Sequence, residues 1–366
     1  MTIKIIIQIC LLYLCTVLTG CTTYDQIYND VYDYIYGGKE QEAQNEQFLK
    51  EKALDESYIK EETIDESFIQ EQNIEQNIED ENEGSINKET IDRLESYLSG
   101  RFKEYGYEFS SKLGITVKQT GNNKVIFEKN SDKCLIPSSL INIIICSALI
   151  EMLEKNSRTN VEHTFITKVD QLNIKSLKGM SLDNLFKKLN IYTFSEITMA
   201  NNTAQDTCDF LTQMAGTKKN KKNKINTILS DHIKRISKYN KCNKFHKPSG
   251  LSLYNKFTAD QIADCLFYLK KSKLYIQTLQ RGGQGTLKNR LLDIGNKHLF
   301  KAGYMRKNGV MCLAGLLNPY NGVHFAILIN NIKTKEYDKN IQWIDDMVRG
   351  ICAILGVYTP KYTTLL

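Results

Sequence analysis

Residues 139–153 are apolar almost without a break, with only Ser139, Asn142, Ser147 and Glu151 polar. A helix at a protein surface shows one apolar stripe, whereas a helix apolar on nearly every side has to be enclosed on nearly every side. This stretch therefore demands a domain large enough to wrap a central helix. Residues 86–366 are long enough to supply it as one large domain.

The flanking sequence indicates how the wrapping is built. Ile91, Leu94, Leu98 and Phe102 recur at helical spacing, predicting an opening helix. Residues 113–117 and 124–128 read as strands joined by a Gly121-Asn122-Asn123 turn. Helices are predicted over 182–189, 203–214 and 258–269. The period then changes to strands over 298–303, 311–317 and 323–330, with hairpin turns at Asn308-Gly309 and Asn321-Gly322. An amphipathic helix over 341–355 closes the chain. The expected fold class is α+β: an antiparallel sheet covered by the terminal helices, with a helical lobe made from the middle.

The N-terminal segments carry a different message. Residues 1–20 have a basic start, an apolar run too short for a comfortable span and a small-residue exit, the pattern of a signal peptide. The Leu18-Thr19-Gly20-Cys21 ending resembles a bacterial lipobox, which makes Cys21 the expected lipidation site. The expected location is exported and membrane-anchored, facing the periplasm or cell surface. Residues 21–85 form an acidic stalk in which Leu54-Asp55-Glu56-Ser57-Tyr58-Ile59 recurs ten residues later as Ile64-Asp65-Glu66-Ser67-Phe68-Ile69. Residues 39–92 hold 18 acidic and 5 basic side chains, a balance of −13 within a chain of +6, leaving +19 elsewhere.

Much of that positive charge lies in residues 218–247, headed by Lys218-Lys219-Asn220-Lys221-Lys222. Export and the lack of interleaved aromatics argue against nucleic acid. A solvated loop is expected there, with anionic surface polymers or lipid headgroups as the other reading. Beyond Cys21 seven cysteines remain, an odd number, so at least one thiol is unpaired within the chain and the pairings are unreadable. No Cys-x-x-Cys pair or Cys/His cluster has zinc spacing, so no metal and no cofactor is expected.

Five segments carry chemistry in order. Pro137-Ser138-Ser139-Leu140-Ile141-Asn142 heads the apolar helix, and Ala200-Asn201-Asn202 follows 61 residues after Ser139. Pro248-Ser249-Gly250-Leu251-Ser252 and Gly282-Gly283-Gln284-Gly285-Thr286-Leu287 precede Lys301-Ala302-Gly303, which stands 101 residues beyond Ala200. Over residues 113–330 the chain resembles the serine D-Ala-D-Ala carboxypeptidases, the low-molecular-mass penicillin-binding proteins of the β-lactamase-like superfamily.

The resemblance implies acyl transfer on peptidoglycan stem peptides or β-lactams. Ser139 falls on the nucleophile at a helix N-terminus, Asn202 on the substrate-binding asparagine, and Lys301 and Gly303 on the substrate-binding edge strand. Asn142 stands where the resemblance implies a proton-accepting lysine, Ala200 where it implies serine and Ala302 where it implies threonine. Loss of a general base typically costs about 10²–10⁴-fold, and members of a catalytic set fail together. The next lysine after Asn142 is Lys155, about four helical turns from Ser139 at roughly 1.5 Å per residue, too far to substitute. Residues 217–246 hold no glutamate and one aspartate, Asp231, so the acidic deacylating residue of a β-lactamase is not evident. His246 and His298 lie near the motifs and read as structural. The sequence therefore points to an impaired carboxypeptidase or, as the alternative, a non-catalytic binding domain of the envelope.

Overall fold

The computed structural model describes residues 86–356, apart from 108–111, 158–159, 191–195, 217–220, 239–241, 243, 295–296 and 320–321. The signal peptide (1–20), Cys21 and the acidic stalk (21–85) lie outside the described residues. In chain order the elements are α1 (Lys88–Glu104), β1 (Leu113–Gln119), β2 (Val125–Lys129), α2 (Ile141–Asn156), α3 (Val161–Leu172), α4 (Leu182–Asn190), α5 (Ile197–Met214), α6 (Lys221–Ile236), α7 (Ala259–Leu269), α8 (Lys273–Ile276), β3 (Leu299–Met305), β4 (Val310–Leu317), β5 (Val323–Ile329) and α9 (Tyr337–Ile354).

The five strands form one sheet in the order β2-β1-β5-β4-β3, every neighbouring pair antiparallel. Each strand buries side chains on both faces, which is why β4 and β5 are buried at every position. On one face Ile115, Val117, Leu313, Phe325 and Ile327 meet α1 and α9, whose Phe102 and Trp343 rings lie 5.7 Å apart. On the other face Cys312, Ala314, Ala326 and Leu328 join the core of the helical lobe. This is the expected α+β architecture, and it leaves β3 at a sheet edge.

At the centre, α2 buries Ile143, Ile144, Ile145, Leu149 and Leu153 together with its polar Asn142, Ser147 and Glu151. The basic segment is not the expected solvated loop, because α6 runs through it. Ile225, Leu229 and Ile233 recur every fourth residue and bury one face of that helix. A polar chain pins α6 to α2: Ser147 Oγ lies 2.7 Å from His232 Nε2, and His232 Nδ1 lies 2.7 Å from Glu151 Oε2. Glu151 also accepts from Arg235 and Lys155. Burial alone would raise its pKa, but these three donors outweigh it and hold the carboxyl well below the usual range.

Two long-range ties frame the approach to α2. Cys134 and Cys242 form a disulfide with Cα atoms 5.5 Å apart, spanning 108 residues of sequence. Cys146, Cys208, Cys265, Cys312 and Cys352 are free and buried, in keeping with the odd count. Leu135 pairs with Phe257 as an antiparallel bridge, and Asp260 N donates to Ser131 O at 3.1 Å. Thr258 and Gln261 close a capping box at the start of α7, so the chain enters that helix at a defined angle. Deeper in, Lys118 of β1 sits between Asp260 and Asp264 at 2.5 Å from each.

Candidate active site around Ser139

Ser139 is not a helix N-cap. It lies in a 3-10 turn, Ser138–Leu140, which runs straight into α2, and no side chain caps either element. The turn is entered through Ser138 at φ +47, a left-handed conformation that costs a non-glycine residue roughly 1–2 kcal/mol. The segment before it is held on two sides, which keeps that conformation in place. Ile136 N donates to Asn330 Oδ1 at 2.7 Å and Asn330 Nδ2 donates to Ile136 O, while Leu135 is paired to Phe257. The buried Ser138 hydroxyl has no hydrogen-bond partner.

Two glycines allow backbone to approach Ser139. A Cβ on Gly250 would stand 2.8 Å from both Ser139 N and Cα, and one on Gly303 would stand 3.0 Å from Ser139 N. Only glycine fits this closely, which gives the Ser249-Gly250-Leu251 segment a physical reason to be where it is. Ser139 is left 6% exposed.

Asn142 and Lys301 meet at one acceptor. Asn142 Nδ2 donates to Leu189 O at 2.9 Å, and Lys301 Nζ donates to Leu189 O at 2.8 Å and to Asn190 O at 3.0 Å. Those carbonyls end α4, where a helix has unsatisfied acceptors and a negative partial charge. Gln280 Nε2 is a second donor to Asn190 O, 2.7 Å away. The α4 terminus is thus tied to the first turn of α2, to β3 and to the segment before β3.

Burial pushes the Lys301 ammonium down to about 7, with the nearby Cys146 thiol working against it. Between pH 7 and the ordinary lysine value near 10.4 the unfolded chain then binds more protons at this position than the folded one, so folding stability rises with pH. The contribution of this lysine to the slope is about 0.7 kcal/mol per pH unit at pH 7, where the folded group is half titrated, and rises toward about 1.4 above pH 8. The five buried thiols ionise only on unfolding and give an opposite slope in either protein, so the measurement is the difference in slope between the parent chain and Lys301→Met, by denaturant unfolding at two pH values between about 7 and 8.5. Equal slopes would mean that Lys301 does not lose its proton in the folded state.

The remaining motif residues are more scattered. Ala200 is buried near the start of α5, which begins six residues earlier than expected, and Asn202 lies on the exposed part of that helix. Ala302 belongs to the core beneath α1 and α9, the sheet face opposite Cys312 and Ala314. Strand alternation puts Lys301 and Gly303 on the other face of β3. The structure therefore gathers Ser139, Gly303, Asn142 and Lys301 and leaves Asn202 in solvent. His246 faces Ser252 Oγ at 3.1 Å and Tyr254, and His298 Nδ1 accepts from Asn318 N at 3.2 Å.

Sequence reasoning missed the Ser147–His232–Glu151 chain, whose atom order is that of an acyl-transfer triad. The 85-residue gap between Ser147 and His232 gives no local signal. Ser147 and His232 are each 0% exposed, and the Ser147 hydroxyl also faces Ile144 O at 2.9 Å. It is a pin between helices.

No protein-family model matches the chain. No curated protein matches it by sequence either. Among solved structures it is similar to penicillin-binding protein D2 of Listeria monocytogenes in an ampicillin-bound form, at 15% identity and TM-score 0.45, covering 68% of this chain and 98% of that one. It is similar to the extended-spectrum β-lactamase TLA-3 at 16% identity and TM-score 0.45, covering 71% of this chain and 99% of that one. A DD-transpeptidase of Streptomyces K15 matches at 11% identity and TM-score 0.43, covering 66% of this chain and 97% of that one. No residue's role is carried across at these identities.

Proposed function

We propose that the chain is an exported, lipid-anchored envelope protein whose penicillin-binding-protein-like domain recognises D-alanine-ended peptidoglycan stem peptides without completing acyl transfer. One observation carries the reading. At the position one turn after Ser139, the Asn142 amide donates a hydrogen bond to Leu189 O, so a donor stands where serine activation needs a proton acceptor. Gly303 of the edge strand and Gly250 pack their own backbone on Ser139, which keeps the edge strand and the serine adjacent. The Leu18-Thr19-Gly20-Cys21 ending supports the anchor.

A second reading is favoured by Lys301. A lysine whose pKa is about 7 is partly neutral near pH 7, and its two bonds to Leu189 O and Asn190 O are ones a neutral amine can make. In that reading Lys301 takes the Ser139 proton and a slow carboxypeptidase survives. A D-Ala-D-Ala-ended stem peptide separates the two. Under the first reading it raises the melting temperature by several degrees at saturation and no D-alanine is released. Released D-alanine, lost in both Ser139→Ala and Lys301→Met, would favour the second reading. No thermal shift and no release would remove stem-peptide recognition altogether.

A further inference from the structure

The loop that brings Gly250 against Ser139 also presents Leu251, Leu253 and Tyr254 to solvent, 38%, 39% and 46% exposed. Three large apolar side chains within four residues are not left out by looseness, because a hydrogen-bonded frame holds the loop. The fully buried Asn255 side chain accepts from His246 N at 2.7 Å and Lys247 N at 3.2 Å, and donates to Lys247 O and Ser249 O. Lys244 and Lys256 pair across an antiparallel bridge at its base. Tyr254 rests edge-on against His246, with ring centroids 5.0 Å apart.

The stretch of chain that carries this loop has charge of one sign. Residues 232–259 contain seven Lys or Arg and no Asp or Glu. Lys244 and Lys247 are exposed, and Lys256 is half-buried directly across from Lys244. Like charges facing each other across strands destabilise by themselves, and an anionic partner relieves that cost. A soluble polyanion would satisfy the lysines but gives no reason for two leucines and a tyrosine at the tip. A bilayer with anionic headgroups takes both, apolar side chains at the acyl boundary and lysines among the phosphates.

We propose that this loop docks on an anionic phospholipid surface, with Leu251, Leu253 and Tyr254 entering the headgroup layer and Lys244, Lys247 and Lys256 meeting lipid phosphates. Docking through it would set Ser139 close to the membrane, since Gly250 of the same loop packs on that residue.

The test has to read the loop itself, because an N-terminal anchor would bring the chain to any vesicle. A full-length chain carrying Tyr254→Trp places a fluorophore at the loop tip, with the single native Trp343 fully buried and subtracted using the parent chain. On vesicles of equimolar phosphatidylglycerol and phosphatidylcholine, emission should shift to the blue and be quenched by brominated acyl chains. On phosphatidylcholine alone the shift should be small, and Lys244→Glu with Lys247→Glu should reduce the anionic-vesicle shift to that level. No shift on anionic vesicles, or an equal shift on neutral ones, would overturn the proposal. The same shift with soluble polyphosphate would overturn it in favour of an anionic polymer.

Discussion

Removing the Cys134–Cys242 bridge by Cys134→Ala with Cys242→Ala should lower the unfolding free energy by about 4–5 kcal/mol, the chain-entropy value for closing a loop of ~100 residues. The closed loop, 108 residues in sequence separation, contains α2 to α6 entire, so the cross-link restricts most of the helical lobe in the unfolded chain. The double alanine variant leaves no unpaired partner behind, and the five free thiols are buried. Urea unfolding of the oxidised parent and the variant provides the measurement. The midpoint should fall and the denaturant slope should rise, because an uncross-linked unfolded chain exposes more surface. A loss under about 1 kcal/mol would mean that other contacts already hold the ends of the lobe together in the unfolded ensemble.

Glu151→Ala should be nearly as costly, at about 3–5 kcal/mol, because it removes one member of a buried charged network and leaves the others. His232 is enclosed between α2 and α6 and loses its carboxylate acceptor. Arg235 and Lys155 are about half exposed and can turn to water, which places the expected value toward the lower end. The comparison that isolates the mechanism is Glu151→Leu with His232→Leu, which replaces both buried partners by apolar groups. That double variant should lose less than Glu151→Ala alone. If it loses more, packing around His232 and Tyr268 outweighs the polar network, since those two rings meet edge-on at 5.6 Å. Because the Glu151 carboxyl is held below its usual range, its contribution is present at neutral pH and lost as pH falls through the acid range.

Much of the architecture can be read from the chain because its signals are local and strong. The apolar run at 139–153 implies a central helix, and the period change after residue 298 implies strands that pair in sequence order through a Gly309 turn at φ +62. The helix α6 is hard to read in the sequence because the lysine cluster that runs into its first turn masks the Ile225, Leu229 and Ile233 spacing. The Cys134–Cys242 pairing has no local signal, since the two lie 108 residues apart among five other cysteines.

The site divides in the same way. Ser139 at the entry to the apolar helix and Gly303 and Lys301 on a late strand can be located from the sequence, because the helical run and the change of period around them are local signals. The fate of Asn142 could not be read, because its partner Leu189 O lies 47 residues on at the end of another helix. Nor did tripeptide likeness show that Ala302 faces the α1 and α9 core, although strand alternation contains that information. Ala302 therefore occupies a position buried away from Lys301, while the Asn142 amide shares an acceptor with Lys301.

With the Asn142 amide donating to Leu189 O one turn after Ser139, the proposed function requires that Ser139 does not acylate at a useful rate. The direct measurement is intact-protein mass after incubation with benzylpenicillin, run on the parent chain, Ser139→Ala and Lys301→Met. The mass should be unchanged for all three. A penicilloyl adduct on the parent that disappears in Ser139→Ala would contradict it, and loss of the adduct in Lys301→Met as well would identify the base.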